Sequence, residues 1–129
     1  MIRNIMVVGE HGRLIYAHEF IPNESLRKTI QGVGALVSVI HQAIPILTGA
    51  NIKMIKMADE SLLVHAKDKL IFALTVDDGN SNDNHRRLQT FVETFMSKYA
   101  DILPFLTENS SLEIFEDMTR IIQDSNFFS

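Results

Sequence analysis

The spacing of apolar residues changes repeatedly along the chain, and the order of those changes predicts its elements. Two short apolar runs flank a glycine-containing turn, a long helix-period stripe follows, three more short runs come next, and two further helical stripes end the sequence. Ile2 to Val8 reads as a strand. By alternation Ile5 and Val7 share one face, while Ile2, Met6 and Val8 take the other with Asn4. Apolar residues on both sides imply a central strand covered on both faces. Gly9-Glu10-His11-Gly12 reads as a turn in which two residues are free to take positive φ. Arg13 to Phe20 returns as the hairpin partner. Leu14, Tyr16, His18 and Phe20 fall on one face, and Arg13, Ile15, Ala17 and Glu19 on a more polar one. That mixture suits an edge strand.

Asn23, just after Pro22, is a candidate N-cap for a long helix. Leu26, Ile30, Val33, Val37, Ile40, Ile44 and Leu47 recur at spacings of four and three, which puts them on one helical face. Gly32 and Gly34 each lower helix propensity by roughly 1 kcal/mol against Ala. Pro45 ends or kinks the helix, because its ring clashes with a preceding carbonyl. After Thr48 to Asn51, Ile52 to Met57 alternates apolar residues with Lys53 and Lys56. Lysines discourage unwanted pairing at an exposed sheet edge. Leu62 to Ala66 is the next strand, Lys67-Asp68-Lys69 a tight turn, and Leu70 to Val76 a strand with an apolar residue at nearly every position, hence central. Asp77 to Asn84 reads as a polar loop. The following helix carries Leu88, Phe91, Val92, Phe95, Met96 and Tyr99 on one face. Pro104 separates it from a last helix, where Ser110 and Glu113 make a capping-box pattern. Its stripe is Leu112, Phe115, Met118 and Ile122, flanked by Ile114 and Ile121.

Composition narrows the function classes. At 129 residues the chain reads as one domain, 1–129, and 46% hydrophobic residues suffice for a core. A net charge of -4 argues against nucleic acid, whose phosphates call for a basic face. With no cysteine there is neither a disulfide framework nor a thiolate metal site. No apolar run reaches the roughly 20 residues of a membrane helix, and the first residues lack the apolar block of a signal peptide. A cytoplasmic chain is the expectation.

No segment assembles a catalytic set. His11, His18, His41, His65 and His85 are scattered, whereas a zinc site needs three or four converging ligands. Asp77 to Asn84 resembles a calcium loop only in composition: counted from Asp78, the sixth residue is Asp83 rather than Gly and the twelfth is Gln89 rather than Glu. It reads instead as a solvated turn that caps the next helix. Gly9 to Gly12 lacks the Lys-Ser/Thr of a phosphate loop and leads into a strand. His85-Arg86-Arg87 is a small basic cluster at an exposed helix start. The sequence therefore predicts neither enzyme activity nor a cofactor.

In its element order and apolar pattern the chain resembles the longin domain family, the small α/β modules of membrane-traffic proteins. The resemblance rests on Met1-Ile2-Arg3-Asn4-Ile5-Met6-Val7-Val8, on the turn Gly9 to Gly12, and on Leu14-Ile15-Tyr16-Ala17-His18-Glu19-Phe20. It continues through the long helix, Leu70 to Asp77 and the paired C-terminal helices. The opening also looks like that of sedlin-type subunits and small adaptor-complex chains. The resemblance implies an α+β fold of longin/profilin type. Its five-stranded, mainly antiparallel sheet would have the order 2-1-5-4-3, with one long helix on one face and two C-terminal helices on the other. That order places the two doubly apolar strands side by side, in agreement with the pattern read from the residues. It also implies a non-catalytic scaffold or regulator that pairs with itself or another longin-type subunit. Such a module would bind a small Ras-like GTPase and reach membranes peripherally through its partners. The coiled coil of the SNARE branch is not expected, since the residues up to Ser129 contain no such segment. The alternative is a PAS-like or profilin-like sensor of a small molecule, although a sheet covered on both faces leaves little room and profilin-like chains begin with a helix.

One surface stands out as a candidate partner face. On the predicted long helix, Leu36, Val39 and Ala43 lie beside the main stripe and Gly32 joins them. The apolar arc then widens to roughly half the helix, more than packing on one sheet face requires. Two readings stay open: a helix sunk deeply into its own sheet, or a face that receives a partner.

Overall fold

The computed structural model describes residues 2–9, 13–20, 53–56, 60–77, 81–107 and 111–125. Its strands are β1 (Ile2–Val8), β2 (Leu14–Glu19), β3 (Met54–Lys56), β4 (Ser61–Lys67) and β5 (Leu70–Val76). They form one sheet in the order β2-β1-β5-β4-β3, and every neighbouring pair is antiparallel. The helices are α1 (Ser81–Tyr99) and α2 (Asp117–Ser125), with short 3-10 turns at Leu103–Phe105 and Glu113–Glu116. The expected strand order is met, and so is the placing of both C-terminal helices on one face. The helix expected from Asn23 to Leu47 lies outside the described residues. Among the described residues no helix is long and apolar enough to cross a membrane.

The almost wholly apolar sequence of β5, broken only by Thr75, has the outcome such a sequence demands, since all seven of its residues are buried. Beside it, β1 buries every residue but Arg3. These two strands are the spine to which both flanks attach. One face of the spine carries Ile5, Val7, Phe72 and Leu74 and packs on Leu88, Phe91, Phe95, Phe115 and Met118. The predicted helical stripes are thus the buried stripes. Each large side chain so removed from water contributes roughly 1.5–3 kcal/mol. The other face is aliphatic, with Met6, Val8, Leu62, Val64, Ile71 and Ala73 buried together.

Two bulges overturn the strict alternation expected of β1 and β2. Ile2 pairs with Val76 while Asn4 pairs with Thr75, so Arg3 is an extra residue in β1. The insertion turns Ile2 onto the face of Ile5 and Val7, not that of Met6 and Val8. In β2, Leu14 pairs with Val8 and Tyr16 with Val7, leaving Ile15 without a partner of its own. Leu14 consequently packs on the aliphatic face, whereas Ile15 and Tyr16 are both buried on the helix-covered face. An extra residue shifts the side-chain period by one, which a two-residue repeat cannot register.

The β4–β5 hairpin closes through Asp68 and Lys69, with φ of 50° and 70°. Lys67 and Leu70 are the last pair before the turn. Left-handed conformation at both central residues is the two-residue hairpin geometry that matches strand twist, here made without glycine. The loop expected over Asp77 to Asn84 is shorter, because Ser81 already begins α1 and Asn84 is buried within it. The last helix also departs from expectation: its first turn, Glu113–Glu116, is 3-10, and α-helix starts only at Asp117. Ser110 of the expected capping box lies outside the described residues. Ser111 Oγ accepts a 3.3 Å hydrogen bond from the Glu113 N–H.

Candidate interaction surface

Rings dominate the helix-covered face. Phe72 meets Phe95 edge to face at 5.5 Å, Phe95 stacks on Phe115 at 5.5 Å, and Tyr99 approaches Phe115 at 4.7 Å. Tyr16, reaching in from β2, lies 6.4 Å from Phe91. Offset and edge-to-face ring pairs of this kind hold their partners in fixed orientation.

Both tyrosines present their hydroxyls to the last segment. Tyr16 Oη and Thr119 Oγ1 share a hydrogen bond of 2.8 Å, and Tyr99 Oη donates to the Ile114 carbonyl at 3.1 Å. Burial raises the Tyr16 phenol above its ordinary value, against the opposing effect of the Thr119 bond. Burial also raises Tyr99, with smaller contributions from Asp117 and Tyr16, to about 12. Each phenol therefore stays protonated across the neutral range and available as a donor. Arg13 adds a third tie at the hairpin end, Nη1 donating to the Thr107 carbonyl at 2.5 Å.

These ties hold the Glu113–Glu116 turn beside the edge of β2 that, among the described residues, faces away from β1, and leave an open groove between them. Its volume is about 610 Å³. Ile15, Tyr16 and Ala17 form the strand side, and Leu112, Glu113, Glu116 and Thr119 the other. A 3-10 helix has three residues per turn, so positions i and i+3 superpose. Glu113 and Glu116 are thus stacked on one side of their turn, both exposed. The strand side has a directional property of its own. Phe20 N–H bonds to the Arg3 carbonyl at 2.9 Å, which fixes the ladder phase: His18 and Tyr16 then bond inward to β1. By the two-residue period Ala17 turns its N–H and C=O outward, and its side chain is exposed.

The opposite edge differs. β3 pairs with β4 through Met54, Ile55 and Lys56, and the Lys53 carbonyl accepts a further bond of 2.9 Å from the Val64 N–H. Lys53 and Lys56 are exposed, and Met54 is 44% exposed. This is the lysine-bearing edge the sequence predicts.

The partner face predicted at Gly32, Leu36, Val39 and Ala43 lies outside the described residues, as do His11 and His41. His18 is half-buried on β2, edge-on to Phe20 at 4.7 Å. Burial lowers its pKa, opposed in part by Glu19. His65 on β4 is lowered by burial first, and then by Lys67, His85 and Lys53. Among the described residues no group of three or more His, Asp or Glu converges as a metal site. Asp83, from the acidic loop, lies 3.9 Å from Arg86 one helical turn on. The groove is the feature that reading the sequence missed. Glu113 and Glu116 look like the polar face of an ordinary helix. The available signal was their i,i+3 spacing near a strand that the pattern already placed at an edge.

No family model matches this chain, and no curated protein matches it. Among solved structures the chain is similar to the crystal structure of a Roadblock/LC7 domain from Streptomyces avermitilis, with 13% identity and a TM-score of 0.46. The match covers 59% of this chain and 66% of that one, just under two thirds of its length.

Proposed function

We propose that the chain is a single non-catalytic interaction domain of longin type, a scaffold or regulator that dimerises and binds a small Ras-like GTPase or a traffic-complex subunit at membranes. The observation that carries this reading is the antiparallel sheet order β2-β1-β5-β4-β3 with both C-terminal helices on one face, joined to the longin-like sequence pattern over nearly the whole chain. A fold hosts many functions, so the assignment must be tested on binding itself. The contact proposed for the second subunit is the flank of the predicted long helix at Gly32, Leu36, Val39 and Ala43.

Sedimentation together with pull-downs against purified small GTPases in both nucleotide states tests the proposal. A self-associating chain that retains a GTPase is the expected result. A strict monomer that retains none overturns it. Val39→Glu is expected to weaken association while leaving the thermal melt largely intact, since a flank carboxylate is solvated in the free chain and desolvated without a counterion in the complex. Val37→Glu, on the main stripe, is expected to unfold the protein. Equal destabilisation by both changes removes the flank as an interface.

A further inference from the structure

We propose that the groove beside β2 docks an extended, basic segment of a partner protein, which adds as a strand to the β2 edge and sets a lysine or arginine side chain against Glu113 and Glu116. This rests on the interaction-module reading and narrows it to one surface and one partner chemistry.

Two features of the groove act together. The first is main-chain directed: Ala17 is exposed and turns its N–H and C=O away from β1. An incoming strand completes that ladder, drawing affinity from backbone bonds and selectivity from alternate side chains. The second is electrostatic. Glu113 and Glu116 stand one above the other on the opposite wall, and among the described residues neither forms an ion pair. Every second side chain of an added strand points to one face, so a basic residue in that register meets both carboxylates. Charge-assisted hydrogen bonds from guanidinium or ammonium to carboxylate are about twice as strong as neutral ones. Between the carboxylates and the strand, Leu112 and the buried ring of Tyr16 give an apolar floor, held in place by the Tyr16–Thr119 bond.

Charge complementarity also decides against a second copy of this chain as the occupant. The copy's own edge would offer Leu14-Ile15-Tyr16-Ala17-His18-Glu19, which contains no lysine or arginine and ends in an acid. Two-fold pairing would bring that acid and a second pair of glutamates toward the first.

The test uses the full chain. A displayed library of short random peptides is selected on it, and the enriched peptides are synthesised and titrated while backbone amide shifts are followed. Enrichment of sequences that alternate apolar with Lys or Arg is expected, with shifts concentrated at Ile15, Tyr16, Ala17, Glu113 and Glu116. E113Q/E116Q changes only exposed side chains and is expected to weaken binding about tenfold, with an unchanged thermal melt. Ala17→Pro removes the outward N–H without touching the ladder to β1, as proline is tolerated on a strand edge facing solvent; it is expected to weaken binding comparably. Failure to enrich basic peptides, shifts confined to another surface, or affinity indifferent to both variants overturns the groove proposal. So does sedimentation showing that E113Q/E116Q alters self-association, which assigns the groove to a second copy. If GTPase capture persists when peptide binding fails, the groove alone is wrong. If neither GTPase nor second subunit is captured by the unmodified chain, the broader reading falls, whatever the peptides do.

Discussion

At one margin of the sheet β3 offers three paired residues, with Met54 and Lys56 exposed and the exposed Lys53 just before them. At the other margin β2 runs for six residues, buries Ile15 and Tyr16, and borders a groove walled by two carboxylates. Any free edge is a template for another strand. The β3 margin discourages that by being short and positively charged. The β2 margin is long enough to be used, and the wall that carries Glu113 and Glu116 limits which strand can come. The difference shows that leaving an edge open and guarding it are separate solutions within one sheet, decided by what stands beside the edge as much as by the strand itself.

Both margins hang on the same spine, so the largest expected effect is the one that removes the comparison altogether. Phe72 is fully buried and in ring contact with Phe91 and Phe95. Phe72→Asp buries an unpaired charge at a cost of several kcal/mol, comparable with the roughly 5–15 kcal/mol that hold a domain folded. Loss of the cooperative melt in circular dichroism is expected; a well-folded variant would displace β5 from the centre.

The margins themselves separate in paired substitutions. Tyr16→Phe removes the hydroxyl shared with Thr119 and is expected to lower unfolding free energy by about 1 kcal/mol. Met54→Ala, on the exposed margin, is expected to cost less than about 0.5 kcal/mol. Denaturant titration of both variants reads the difference, and equal losses would mean that β3 is packed as tightly as β2. Lys69→Gly acts on the hairpin that carries β4 and β3. It relieves a left-handed lysine and is expected to raise stability by about 0.5–1 kcal/mol in the same titration. A loss would show that the Lys69 side chain outweighs its backbone strain.

The smallest effect is in pH. His18, on the β2 margin, and His65, on β4 next to β3, both have pKa values lowered chiefly by burial. The unfolded chain therefore takes up these protons first. Their contribution to stability is complete above the ordinary value near 6.5 and is lost as pH falls from there through the lowered folded values. Melts between neutral and mildly acid pH should show stability falling on acidification, and His18→Gln and His65→Gln should each flatten part of the slope. A slope that survives both changes would place the titrating groups elsewhere.

The sequence makes the spine and the helical stripes legible because their signals are long and redundant. Six apolar residues among the seven of β5 admit few other readings, and Leu88, Phe91, Val92, Phe95 and Tyr99 name their own face. What it hides depends on single residues. Arg3 and Ile15 carry no mark that they are extra, yet each reverses the face of everything before it. The start of the last helix is hidden for a related reason: α and 3-10 turns need the same residues, but only the second superposes Glu113 on Glu116. That superposition sets the acidic wall of the groove, and the i,i+3 spacing by itself does not tell the two kinds of turn apart. The proposed flank at Gly32, Leu36, Val39 and Ala43 rests on the helical period alone.

The bulge at Ile15 bears on how this chain can change length. A one-residue deletion inside a strand ordinarily turns every later side chain to the wrong side. Here Leu14 already opposes Val8 and Tyr16 already opposes Val7. Removing Ile15 joins two stretches that are in step, and leaves both neighbours on the faces they now occupy. The loss is one buried aliphatic side chain rather than a hairpin. A relative shorter by that residue would superpose on this chain through the whole of β2, and its sequence would align only with a gap placed in mid-strand, where gaps are normally forbidden.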